Sequence, residues 1–168
     1  MDIPLHRKMS ARIQRAFTLL EVMIILAILS ITSAIAIVGY SGYVETSKVA
    51  AASAQIRALS LLIADYANEN GNYPTSLNDI GNQNLVDPWG NPYTYNNLII
   101  NAPGTSQHNT FNISIARKDG NLVPINTHYD LYSSGKDGES QAPLRASASK
   151  DDVIYANDGG YIGLAREF

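Results

Sequence analysis

From Phe17 to Tyr40 the chain reads FTLLEVMIILAILSITSAIAIVGY, 24 residues interrupted by a single charge, Glu21. At 1.5 Å per residue a helix over that run is roughly 36 Å long, enough to cross the ~30 Å hydrocarbon core of a bilayer. Basic residues collect before it: Arg7, Lys8, Arg12 and Arg15 stand against the lone acid Asp2. From Phe17 onward eight basic residues face fourteen acidic ones, a net of −6. That asymmetry predicts residues 1–16 in the cytoplasm and everything after the span on the far side. A cleavable secretory signal is the competing reading. Its apolar region is about 7–15 residues and ends in small residues at the cut. Here the run is longer and passes, with no Pro or turn, into a second helical pattern.

That pattern is a stripe. Val49, Ala52, Ile56, Leu59, Ile63 and Tyr66 recur at steps of three and four, with Lys48, Gln55, Arg57 and Asp65 off the line. The spacing predicts an amphipathic helix that buries one face. No Pro occurs between Phe17 and Tyr73, so one helix of about 50 residues is predicted, closing near Asn70-Gly71 with Gly71 as C-cap and Pro74 as stop. Further on, Phe111, Ile113 and Ile115 alternate with Asn112, Ser114 and Ala116, which predicts a half-buried strand. Asp119-Gly120 reads as a hairpin turn with Leu122–Ile125 returning, and Tyr129–Ser133 as another alternating strand. Asn97–Asn109 and Gln141–Lys150 read as loops. The predicted fold class is α+β: a long N-terminal helix, transmembrane in its first half and amphipathic in its second, packed on a small antiparallel sheet. The predicted organisation is a leader over 1–16, a membrane and assembly helix over 17–40, an amphipathic helix over 41–72, and loops, sheet and an acidic C-terminal loop over 73–168.

Length and composition narrow the chemistry. A chain of 168 residues has room for one small core. It has no cysteine, which removes disulfides, thiol catalysis and thiolate metal sites. The net charge of −3 gives no reason to expect nucleic acid as a partner. His6, His108 and His128 are isolated, and no Gly-x-Ser-x-Gly, His-Glu-x-x-His or phosphate loop occurs. The chain therefore reads as no enzyme; a membrane-anchored hydrolase using Asp137 and Asp151 as an acid pair, and a passive anchored binding module, are the rivals from other classes.

Glu21 needs an explanation of its own. A carboxylate in a bilayer costs about 2.5–3.5 kcal/mol on insertion scales, so an intramembrane acid signals function. Two readings stand at this level: Glu21 snorkels to the interface, or it meets a partner charge.

The segment Arg15-Ala16-Phe17-Thr18-Leu19-Leu20-Glu21 resembles the leader junction of type IV pilins and pseudopilins, followed as there by a long apolar helix. The resemblance implies cleavage between Ala16 and Phe17 by a prepilin peptidase, N-methylation of Phe17, and Glu21 as fifth residue of the mature chain. Ala16 stands where the family usually has Gly, and Val38 where many relatives carry a helix-bending Pro, with Gly39 and Gly42 close by. Cleavage would create a cationic amine on Phe17. Axially staggered helices would then set that amine beside the Glu21 of a neighbour, and a matched pair removes most of the penalty each charge carries alone in an apolar bundle.

Asn70-Gly71-Asn72-Tyr73-Pro74 is similar to the family's helix-closing segment. Asp87-Pro88-Trp89-Gly90-Asn91-Pro92-Tyr93 resembles a segment of the major pseudopilins of type II secretion. Trp89, the only Trp, reads as a plug at the helix–sheet junction, with sugar stacking as the alternative. The likeness spans residues 12–96 and 129–153. It implies a pilin-like fold and a single-pass inner-membrane protein with a periplasmic C-terminal domain. It also implies a homopolymer, with other pilins or pseudopilins, the prepilin peptidase and an inner-membrane assembly platform as partners. A type IV pilus subunit for adhesion, motility or DNA uptake is the nearest alternative.

Acids gather near the C-terminus, in Ser134-Gly135-Lys136-Asp137-Gly138-Glu139 and in Asp151-Asp152-Val153. From the residues alone, solvated loop acids and a hard-cation site both stand, since Ca²⁺ takes six to eight oxygens from carboxylates, carbonyls and water. Tyr129 to Gly138 with a later Asp-Asp-Val resembles the calcium loop of the major pseudopilins. That resemblance implies a structural calcium held by the Asp137, Asp151 and Asp152 side chains and the Ser134 and Glu139 carbonyls. Gln141–Lys150 is longer than the usual spacing.

Overall fold

The computed structural model describes residues 17–82, 84–101 and 109–168, with the side chains of 36–39, 100, 101, 109 and 110 outside the description. One helix, α1 (Leu19–Asn70), opens the fold. Six strands follow: β1 (Thr94–Asn97), β2 (Ile99–Asn101), β3 (Asn109–Phe111), β4 (Tyr129–Ser133), β5 (Val153–Ala156) and β6 (Tyr161–Leu164). The chain divides into two compact units between Gly42 and Tyr43.

In the first unit α1 is long and apolar enough to cross a membrane. Thr18 starts it: the Thr18 hydroxyl accepts the Glu21 N–H at 3.2 Å and its carbonyl the Val22 N–H at 3.3 Å. The polar residues inside the apolar run are satisfied by the helix itself. Ser30 donates to the Leu26 carbonyl at 2.7 Å and Thr32 to the Ile28 carbonyl at 3.0 Å, so neither hydroxyl needs water.

In the second unit the predicted stripe is the buried face of α1. Ala52, Ile56, Leu59 and Ile63 are each at most 1% exposed and cluster with Leu77, Tyr93, Tyr129, Leu131, Val153 and Leu164. Each large aliphatic buried this way contributes about 1.5–3 kcal/mol. The helix ends as its residues dictate: Gly71 takes φ +73° and returns its N–H to the Ala67 carbonyl at 2.8 Å.

The sheet is antiparallel, in the order β1-β4-β5-β6. Side chains alternate across it. Tyr129, Leu131 and Val153 face α1, whereas Ile154 and Ala156 join Ile125, Leu144 and Ala165 in a second cluster. The strand predicted over Tyr129–Ser133 is β4, and because this second cluster covers its other face four of its five residues are buried. The covering segments are joined by backbone bonds from Lys118 to Ala142, Leu144 to Lys118, and Ile125 to Arg117.

Three expectations need correction. The strand predicted over Phe111–Ile115 stops at Phe111, where β3 pairs β2. Beyond it Ile113 and Ile115 are exposed and Ala116 closes a turn onto the Ile113 carbonyl; among the described residues no neighbouring strand uses the alternation. The Asp119-Gly120 turn forms, with Asp119 and Leu122 exchanging backbone bonds at 3.0 and 2.9 Å, yet Leu122–Ile125 is not a strand. Pro124 there has no N–H to donate to a ladder. Finally, Asn97–Asn109 is not simply a loop, because β2 lies within it, and β6 occupies a C-terminal stretch for which no element was predicted.

Candidate functional site

Two places collect the residues singled out in the sequence. The first is the start of α1. Ala16 and residues 1–15 lie outside the described residues. Phe17 is 72% exposed, and Glu21 lies in the first helical turn, where the unpaired N–H groups of a helix favour an anion. Around and beyond it Leu19, Leu20, Met23, Leu26 and Ile31 are exposed.

The second is the acidic loop, assembled from the ends of β4 and β5. A turn at Gly135 (φ +65°) brings Lys136 and Asp137 onto Asp151, whose Oδ2 accepts their N–H groups at 2.8 and 3.1 Å. Asp137 in turn accepts the Glu139 N–H at 2.9 Å. Ser134 and Glu139, the implied carbonyl donors, lie in this same turn. Asp152 departs from the group. It is fully buried and its Oδ2 holds the Arg117 guanidinium at 2.6 Å and the Ser140 hydroxyl at 2.6 Å. Burial pushes the Asp152 carboxyl above the usual carboxylate range, against the pull of Ser140 and Arg117.

Calcium fits this arrangement poorly. Among the described residues no three or more His, Asp or Glu side chains converge on one metal position. Asp152 Oδ2 already carries the Arg117 cation, which leaves Oδ1 alone to a metal, and backbone N–H groups occupy an oxygen of Asp151 and one of Asp137.

Beneath the acidic turn lies a second network that pattern reading passed over. Asp130, fully buried in β4, accepts the Arg117 N–H at 2.7 Å and the Asn126 amide at 2.9 Å; burial pushes its carboxyl up, opposed by those two bonds. An Asp in the middle of an alternating strand was the available signal, since strands disfavour Asp. Arg117 gave none. The Trp89 turn is tied to the same region: Asn91 donates to the Gly135 carbonyl at 2.8 Å, and Trp89 donates its indole N–H to Glu45 at 3.1 Å with Lys48 above the ring at 5.9 Å. Trp89 thus packs where a structural plug was expected. His128 packs tilted against Tyr73 with ring centres 4.7 Å apart and forms no ion pair among the described residues; His6 and His108 lie outside them.

The model for the prokaryotic N-terminal methylation motif matches residues 11–37. The chain is 28% identical to the type II secretion system core protein G of Pseudomonas aeruginosa, over 78% of this chain and 89% of that protein. It is 30% identical to the core protein G of Escherichia coli K12, over 75% of this chain and 84% of that protein. A fimbrial protein, EcpC of Eikenella corrodens, is 30% identical over 58% of this chain and 61% of its own length. No solved structure matches the chain.

Proposed function

The chain belongs to the family of the type II secretion system core protein G, and from that premise we propose that it is a filament-forming major pseudopilin. In this reading residues 17–40 hold the precursor in the inner membrane with its C-terminal domain in the periplasm. A prepilin peptidase cuts between Ala16 and Phe17, and Phe17 is methylated. The assembly platform then draws subunits into a periplasmic pseudopilus, with Glu21 paired to the new amine of a neighbour. The chain is a structural subunit and carries out no reaction.

A contrast along one helix supports this most directly. Leu19, Ile31 and Ile35 are 80%, 64% and 71% exposed, whereas Ala52, Ile56 and Ile63 on the same helix are fully buried. An apolar surface of that extent needs lipid before assembly and other helices after it.

N-terminal sequencing and intact mass of the purified protein test the reading. The expected product begins at Phe17 and carries one methyl group; a chain still beginning at Met1, or trimmed near Tyr40, overturns it. The fimbrial likeness supports a second reading as a type IV pilus subunit. Deleting the gene separates the two, by loss of protein export with surface fibres intact or the reverse.

A further inference from the structure

We propose that Arg117 is the resident cation of the acidic C-terminal loop, closing it onto Asp152 where the family resemblance implies a calcium ion. Its guanidinium is 2% exposed and engaged on three sides. Nη2 holds Asp152 Oδ2 at 2.6 Å, Nη1 donates to the Ser140 hydroxyl at 2.5 Å, and the guanidinium carbon lies 4.2 Å from the centre of the Tyr132 ring. The Arg117 backbone N–H is anchored on Asp130. A planar cation with fixed donors, stacked on an aromatic face, suits such a buried acid better than a mobile ammonium does.

The two atoms this network leaves over point the same way. Arg117 Nε and Asp152 Oδ1 are buried with no hydrogen-bond partner. One is a donor and the other an acceptor, on opposite members of one ion pair, and turned to face each other they would form the second arm of a bidentate fork. A metal on Oδ1 would take the one oxygen of Asp152 left to accept the Nε–H. It would also set a divalent charge within a few ångströms of a guanidinium in a poorly screened interior. The remaining acids need no metal either, because backbone N–H groups supply the positive ends facing Asp151 and Asp137.

The pair spans residues 117 to 152, and Ser140 bonds both members. It therefore ties together three segments that cover the sheet in a chain with no disulfide. Removing one partner of a buried pair strands the other charge, which makes the pair a strong constraint on loop closure.

The full chain, solubilised in detergent, is tested for bound calcium by elemental analysis after equilibration in calcium buffer. It is then melted with and without EGTA, following Trp89 fluorescence. The expected results are well below one calcium per chain and the same melting temperature in both buffers. Arg117→Met is expected to melt about 10 °C lower in both, with Arg117→Lys in between. Stoichiometric calcium in the unmodified chain, a melting temperature that EGTA lowers, or Arg117→Met melting like the unmodified chain would overturn the proposal. The first two measurements need no variant to fold.

Discussion

Ser133 donates its hydroxyl to Asp87 at 2.5 Å, joining the last residue of β4 to the turn that carries Trp89. The other oxygen of Asp87 accepts the Trp89 and Asn91 N–H groups at 2.9 and 2.8 Å. One buried carboxylate therefore shapes the Trp89 turn and fastens it to the strand that leads into the acidic loop. Asp87→Ala leaves those donors without their acceptor, and an unsatisfied buried group costs about 1–3 kcal/mol. The variant is expected to lose about 3 kcal/mol and to show altered Trp89 emission in the folded state. Denaturant unfolding followed by fluorescence measures both, and unchanged stability would mean that the turn holds itself.

Glu21→Val removes the acid from the apolar run. Insertion becomes easier, since a central carboxylate costs about 2.5–3.5 kcal/mol, while the pairing that sets axial stagger is lost. Membrane fractionation is expected to show normal or greater insertion, and electron microscopy of overproducing cells few or disordered filaments. Ordinary filaments from this variant would remove Glu21 from assembly.

Burial pushes the phenols of Tyr93, Tyr95 and Tyr129 above their ordinary value of 10.0. A group whose folded value is raised contributes stability that is present below its unfolded value and lost as pH rises through the folded one. The fold is therefore expected to weaken progressively above pH 10, where the unfolded chain ionises these tyrosines and the folded chain does not. In an alkaline absorbance titration, part of the signal from the ten tyrosines should appear only with the loss of near-ultraviolet circular dichroism. A single step near the ordinary value with the fold intact would contradict this.

Gly135 combines a left-handed φ of +65° with no room for a side chain, since a Cβ there would lie 2.3 Å from the Asp151 carbonyl oxygen. Gly135→Ala must open the contact between the acidic turn and Asp151, and is expected to destabilise by about 1–3 kcal/mol. Gly42 has nothing within 4 Å of such a Cβ and lies inside α1, so Gly42→Ala is expected to stabilise the helix by about 1 kcal/mol. Thermal melts of the two variants moving in the same direction would refute this account.

The long helix was legible almost to the residue, from the stripe at Ala52, Ile56, Leu59 and Ile63 to the cap at Gly71. The apolar run was equally plain, and the methylation motif over residues 11–37 includes it from Phe17 onward. Strands were read less well. Ile113 and Ile115 alternate convincingly and form no strand, while Tyr161–Leu164 forms one that the glycines around it concealed. At the candidate site the acids Asp137, Asp151 and Asp152 were found, but their shared role was inferred from a resemblance that knows nothing of Arg117.

What the residues decided alone is whatever depends on neighbours within a few positions: helical periodicity, capping, membrane length, and the charge step across Phe17. What only the tertiary structure decided is which charge meets which. Arg117 and Asp152 are 35 residues apart, brought together because segments 118–125 and 141–150 fold over the far face of the sheet. A buried charge takes its meaning from its partner, and that partner is fixed by chain closure over a distance no local pattern records.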